Sequence, residues 1–397
     1  MTIVLRAARL FDGAAGSLTP DPVVIVDGGR ITAAGTGVPV PAGAAVVDLG
    51  DATILPGLVD THVHLALDAS TDPVGALAGR DAAAALAAMT AAARHATRGG
   101  VTTVRDLGDR GYLALALRDA VAGDPTLPTI VAAGPPITTP GGHCHFLGGA
   151  IGGNSGGGAA GVRAAVRERA ERGADIVKIM ASGGNLTPGT LPERSQFGVA
   201  ELRAAVDEAH RLGLPVTAHA HGTQAIADAL AAGVDGLEHV SFMTADSVDP
   251  VPDAVLAAIV ARRVALGITI GVRPVPGFTP PPAVLSRLPL LHAGNRRMYE
   301  AGAVITAGTD AGIAPIKPPD VVRWAVAQLA GIGMTPVDAL RAVTSVAAGV
   351  CGLGDRKGRV APGFDADLLA VAGDPLRDPA ALHDIRAVYV RGVPVSH

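Results

Sequence analysis

His62 and His64 stand two apart in LPGLVDTHVHL, residues 55–65. The residues before them, Ile54 to Val59, read as a short apolar strand, and in a strand the side chains at i and i+2 point to one face. Two imidazoles on one face can share a metal ion. An isolated H-x-H pair serves equally for hydrogen bonding alone, so the metal reading depends on further ligand types elsewhere. They occur as Lys178 in DIVKIMASGG, His219 and His221 in PVTAHAHG, Glu238 and His239 in GLEHVS, and Asp310 in GTDAG, each ending its own apolar run. Taken singly, a strand-end His is a satisfied polar residue and a strand-end Asp is a helix N-cap. Converging on one mouth, they are hard to explain as packing.

Lys178 is flanked by Ile176, Val177, Ile179 and Met180, so its stem is expected to be buried. Burial and nearby cations disfavour an ammonium and lower its pKa. A neutral amine reacts with carbon dioxide to give a carbamate, an anion able to bridge two metals. The competing expectation is a buried ion pair with an acid such as Asp175.

Elements that could bring these residues together follow from the alternation between about 56 and 350. Strand-like runs (ILPGLVD, VTTVRDLG, TIVAAGPPI, DIVKIMASGG, PVTAHAHG, GLEHVS, VALGITI, VITAGTDAG) alternate with Ala-rich helical stretches such as 81–98, 160–172, 199–212 and 223–232. Eight β/α units predict an α/β chain folded as a (β/α)8 TIM barrel, somewhat longer than the ~250 residues typical of one. An open doubly wound sheet would want a Gly-rich phosphate turn after its first strand, where the His pair stands instead. Residues 1–55 and 351–397 are strand-rich and broken by turns such as DGG and PAG, which predicts a small β-sandwich built from both chain termini around the 56–350 domain. The Gly-rich stretch 148–161 lacks a GK[ST] or a ribose-binding acid and is expected to be a loop over the mouth or a connector.

Composition narrows the class. The chain has 397 residues, 49% hydrophobic and 17% charged, enough to bury a large core. A net charge of -4, 3% aromatics and no Lys/Arg run argue against a nucleic-acid partner. Two cysteines, Cys144 and Cys351, form no disulfide framework, the N-terminus has no signal-peptide pattern, and no apolar run is long enough for a membrane span. A cytoplasmic enzyme of small molecules is expected, with a homo-oligomer as the commonest assembly.

The set H-x-H, Lys, His, His, Asp on eight β/α units resembles the amidohydrolase superfamily in its binuclear form. The wording of LPGLVDTHVHL, GVTTVRDLG, GGH at 141–143, VKIMASGG, VTAHAHG, EHV, GTDAG and GRVAPGFDADLLAV is similar to its imidazolonepropionase-like and prolidase-like branch. The resemblance implies that His62, His64, Lys178 and Asp310 bind one divalent ion. His219 and His239 then complete a second with a carboxylated Lys178 as bridge, and Asp310 doubles as proton shuttle. Zinc is the expected metal, with Fe, Mn and Co open to the same ligands. Two such ions would lower the pKa of a shared water from 15.7 towards ~7 for attack on a carbonyl.

His221 is expected to donate to the substrate oxygen. His143 and His145 in GGHCHFLGG and Arg273 after the seventh strand are expected to contact substrate, the guanidinium suiting a carboxylate. His95, His210, His292, His383 and His397 are expected at the surface. Some relatives with peptidase activity place a Tyr in the fourth loop, where this chain has SQFGVAEL and Phe197, a departure from a dipeptidase. The expected reaction is hydrolysis of an amide or peptide-like C–N bond, in an N-acyl amino acid, an Xaa-Pro dipeptide or a cyclic amide. A mononuclear deaminase, which gives Lys178 no duty, and a lactone, ester or carbamate hydrolase are the alternatives. A non-catalytic scaffold would have lost ligands, and none is missing.

Overall fold

The computed structural model describes residues 2–122, 124–151 and 157–396. Residues 152–156 of the Gly-rich stretch 148–161, together with Met1, Gly123 and His397, lie outside the described residues.

Eight parallel strands carry the middle of the chain. Leu58–Val63, Val101–Asp106 and Thr129–Ala132 form a three-stranded sheet. Val177–Met180, Val216–Ala220, Gly236–His239, Ala265–Ile268 and Val304–Ala307 form a five-stranded one. Backbone hydrogen bonds also cross both junctions. Ile137 donates to the Lys178 carbonyl at 2.8 Å and Met180 to that of Ile137 at 2.9 Å; Asp310 donates to His62 at 2.8 Å and His64 to Ala311 at 2.9 Å. Strands such as VTTVRD, VKIM and VTAHA are buried at every residue, as parallel strands covered on both faces must be.

The cover is alanine-rich. Helices Ala82–Arg98, Gly158–Glu171, Val199–Arg211 and Thr223–Ala232 match the four expected stretches to within two residues at either end. In the first, Ala85, Met89, Ala93 and Ala96 face inward, the 3.6-residue period of a packed helix. The Asp81 side chain accepts from Ala84 N at 2.8 Å and caps it. A further helix, Pro282–Glu300, was not among the expected ones; its Pro289 and polar residues blur the period. It lies over the strand ends. Among the described residues no helix is long and apolar enough to cross a membrane.

The chain ends meet in two other sheets. Ile3–Arg6, Pro22–Asp27, Arg30–Thr36 and Ala45–Asp48 form one; the other joins Arg9–Leu10, Thr19–Pro20 and Ala52–Pro56 with the C-terminal strands Leu368–Ala372, Ile385–Val390 and Val393–Pro394. Leu5, Val24, Ile31, Ile54, Leu368 and Tyr389 are buried together between them.

The expected first strand needs correction. Ile54 to Val59 is not one strand: Ala52–Pro56 pairs with Leu368–Ala372, and a new strand, Leu58–Val63, pairs with Val101–Asp106. Gly57 is the crossing point, where a Cβ would lie 2.2 Å from Thr102 Oγ1. His62 therefore sits within its strand and His64 just beyond it.

Candidate metal centre

At the C-terminal ends of the parallel strands, the alternation of the first strand turns Asp60, His62 and His64 to one side, and all three are buried. Ligand atoms of His62, His64 and Asp310 lie within 4.8 Å of one another, and so do those of His219, His221 and His239. The two groups adjoin: the His62 and His239 ring centroids are 5.2 Å apart, those of His219 and His239 4.5 Å. His64 Nε2 is 3.1 Å and His62 Nε2 3.6 Å from Asp310 Oδ1. His239 and Asp310 both adopt left-handed backbone, φ +70° and +63°, which swings each side chain back over the strand ends. His and Asp tolerate that region better than branched residues.

Lys178 enters the same space from the fourth strand, 1% exposed, and its Nζ has no hydrogen-bond partner. Asp175, the counter-ion of the competing expectation, bonds instead to Arg118 and to Ala132 N, each at 2.9 Å. Burial pulls the Lys178 ammonium down to about 8, against the attraction of Glu238 and Asp310. Burial also holds His62 and His143 down to about 4 and His221 to about 3, and depresses His219 and His239 further. Neutral imidazoles are the form that donates to a metal. For Asp310, burial alone would raise the pKa, but the His62 and His64 imidazoles and Lys317 hold it well below the carboxylate range. Buried imidazoles, one carboxylate and an amine without a hydrogen-bond partner suit bound metal better than a packed core.

The second nitrogen of each imidazole is also placed, which fixes the one left to bind. His64 Nδ1 meets the Gly108 carbonyl at 2.9 Å, His239 Nδ1 the Thr269 hydroxyl at 2.5 Å, His221 Nδ1 that of Ser241 at 2.7 Å, and His219 Nε2 the Gly183 carbonyl at 2.9 Å. His62 Nδ1 faces Glu238 Oε2 at 3.2 Å. Glu238 Oε1 accepts from Arg105 at 2.9 Å and from Thr217 at 2.7 Å, and Arg105 Nε donates to the Thr61 carbonyl at 2.6 Å. Burial raises the Glu238 pKa, but Arg105 and His62 outweigh it and leave it at about 2. Gly267 leaves room for this carboxylate, since a Cβ there would come within 2.0 Å of Oε2.

Of this underlying layer, Glu238 stood among the strand-end residues of the sequence, whereas Arg105 and Thr217 did not. Arg105 alternates with Thr103 inside VTTVRD, and that period was the available signal. Glu238→Gln is expected to weaken metal affinity about 10- to 100-fold with the fold intact, measured by competition against a chelator.

A cavity of about 370 Å3 opens above the imidazoles. His143 lines it, and its ring lies 4.7 Å from that of His219 with Nδ1 unpartnered. His145 and Arg273 do not line it. Cys144 has φ +57°, which turns the chain so that His145 is exposed, with Nδ1 on the Gly142 carbonyl. Gly271 at φ +97° redirects the seventh loop, and Arg273 N pairs with the Ile316 carbonyl beside the cavity. His292 is exposed, as expected, and also borders the cavity mouth. His95, His210 and His383 meet Asp320, Asp235 and Trp324, away from it.

A model of the amidohydrolase family matches residues 53–271 and 290–395. An ochratoxinase of Aspergillus niger is 29% identical over 364 residues, 84% of this chain and 73% of that one. An imidazolonepropionase of Deinococcus deserti is 29% identical over 393 residues, 91% and 88% of the two chains. Among solved structures, a Xaa-Pro dipeptidase with bound methionine superposes with a TM-score of 0.84 at 28% identity, covering all of both chains.

Proposed function

The chain belongs to the amidohydrolase family, and from that premise we propose that it hydrolyses an amide or peptide-like C–N bond of a small molecule with two divalent metal ions, zinc by expectation. One observation carries this reading: two clusters of buried ligand atoms line one cavity together with a lysine amine that has no hydrogen-bond partner. His62, His64 and Asp310 would hold one ion, His219 and His239 the other, and a carboxylated Lys178 would lie between them. The two parallel sheets are read as one (β/α)8 barrel over 56–350, supported by the hydrogen bonds at both junctions. The terminal sheets are read as a β-sandwich of 1–55 and 351–397.

Bound ions would acidify a water to a pKa near ~7 and polarise the substrate carbonyl. Asp310, ionised and 3.1 Å from His64, accepts the proton of the attacking water and passes it to the departing nitrogen. His221, oriented by Ser241, presents Nε2 to the cavity as a donor for the carbonyl oxygen. His221→Ala is expected to lower kcat by about 10^2- to 10^3-fold at unchanged metal content. An unchanged kcat would remove that role.

The relatives' names span ochratoxin, imidazolonepropionate and Xaa-Pro substrates, so the amide class is the supported level. Metal counting by plasma emission should give two ions per chain, and 13C NMR after exchange with labelled bicarbonate should give a carbamate signal that Lys178→Ala removes. One ion and no carbamate would favour a mononuclear deaminase. A reducing, cytoplasmic setting is in keeping with Cys144 and Cys351, both buried and unpaired. A homo-oligomer is proposed on the general prevalence of symmetric assemblies.

A further inference from the structure

The amide reading admits both acidic substrates, such as N-acyl amino acids, and neutral ones. The cavity wall separates them. Opposite the imidazoles, helix Pro282–Glu300 presents Val284, Leu288 and Leu291, spaced i, i+4, i+7 on one face. Ile270, Ile313 and Ile316 extend that apolar surface.

Cations are kept off the wall. No arginine lines the cavity among the described residues. The helix carries Arg287, Arg296 and Arg297, and each is engaged elsewhere: Arg287 donates to the Ala245 carbonyl at 2.7 Å, Arg296 to Glu300 at 2.8 Å, and Arg297 to Asp253 and the Val251 carbonyl. The two lysines of the wall are committed as well. Lys178 belongs to the ligand cluster. Lys317 Nζ donates to the Thr309 carbonyl at 2.8 Å, and its charge faces those of Asp310 and Asp60. The polar groups left on the wall away from the imidazoles, Asn185, His292 and Asn295, are suited to a carbonyl or an N–H. A carboxylate seated against this apolar surface, away from the ions, would lose water with no free protein cation to pair with, which costs several kcal/mol.

We propose, resting on the amide reading, that the substrate is a neutral amide, urea or carbamate carrying a bulky aliphatic or aromatic group that seats against Val284, Leu288 and Leu291. A free carboxylate beside the scissile bond is selected against. Water adds to the carbonyl carbon, the C–N bond breaks, and the proton taken by Asp310 leaves on the nitrogen, so the reaction balances as a hydrolysis.

The test is a matched pair differing only in the carboxylate: N-benzoyl-3-methylbutylamine and N-benzoyl-L-leucine, assayed with the metal-loaded enzyme. The corresponding ketones, with CH2 in place of the amide N–H, are titrated by calorimetry. The neutral amide should have at least about a tenfold higher kcat/KM, and the neutral ketone should bind at least about tenfold more tightly. Leu288→Arg should shrink or invert both ratios at unchanged metal content. Preference for the carboxylated member in either assay overturns this proposal and leaves the amide reading standing. If neither amide is cleaved and neither ketone binds, both fall, and a metal count of two with a carbamate signal then shows whether the centre itself survives.

Discussion

Lys178→Met should abolish most of the activity while leaving the metal-free protein as stable as before, or more so. The substitution nearly conserves volume, and the position is buried within the strand Val177–Met180. In the metal-free protein it removes an amine that has no hydrogen-bond partner and whose burial outweighs the attraction of Glu238 and Asp310, so deleting it does not cost stability. Chemically the change takes away the atom on which a bridging carbamate would form. Losing an electrostatic contribution of about 4 kcal/mol corresponds to roughly 10^3-fold in kcat. Metal content should fall from two ions to one or fewer. Lys178→Ala, which leaves space where the stem was, should regain part of the activity in the presence of a short carboxylic acid such as propionate; Lys178→Met should not. A large drop in melting temperature for Lys178→Met, with kcat kept, would mean that the lysine is only a structural residue.

Asp310→Asn should reduce kcat by about 10^2- to 10^4-fold at saturating metal, the range for removing a positioned general base. The side chain keeps its size, and the backbone is held by the Asp310 N bond to the His62 carbonyl at 2.8 Å. His62 and His64 remain to bind, so metal affinity should fall less steeply than kcat. What goes is the carboxylate, kept ionised by the two imidazoles and Lys317 despite its burial. Its neighbour Asp60 accepts from Thr309 Oγ1 at 2.5 Å and Thr309 N at 3.1 Å and cannot turn to replace it. Measuring kcat across a metal titration separates the two roles. Full kcat once metal is saturating would leave Asp310 as a ligand alone.

Much of the centre was legible in the linear chain because strand and helix periods are local. His62 and His64, spaced by two, share a face in any strand; the Ala-rich stretches announce their helices; and each ligand type ends an apolar run, where a parallel α/β fold exposes its loops. Lys178 could be read as buried from its four apolar neighbours. Local rules failed where the chain changes direction on a single residue. Gly57 splits one expected strand between two sheets, and Cys144 and Gly271, both at positive φ, turn His145 and Arg273 away from the cavity.

What the amino-acid order determines by itself is the inventory: which side chains can bind metal, which elements carry them, and which face of each element they occupy. Contacts between residues far apart in the chain are decided by the tertiary structure alone. Arg105, Thr217 and Glu238 lie on three different strands, and nothing in their local patterns says that they form one hydrogen-bonded layer beneath His62. Nor does the sequence of Pro282–Glu300 say that Val284, Leu288 and Leu291 line the cavity that the imidazoles face while its arginines bind elsewhere. The physical reason is range: backbone propensity and side-chain period act over a few residues, whereas a cavity's polarity is the sum of groups that only packing brings within a few ångströms.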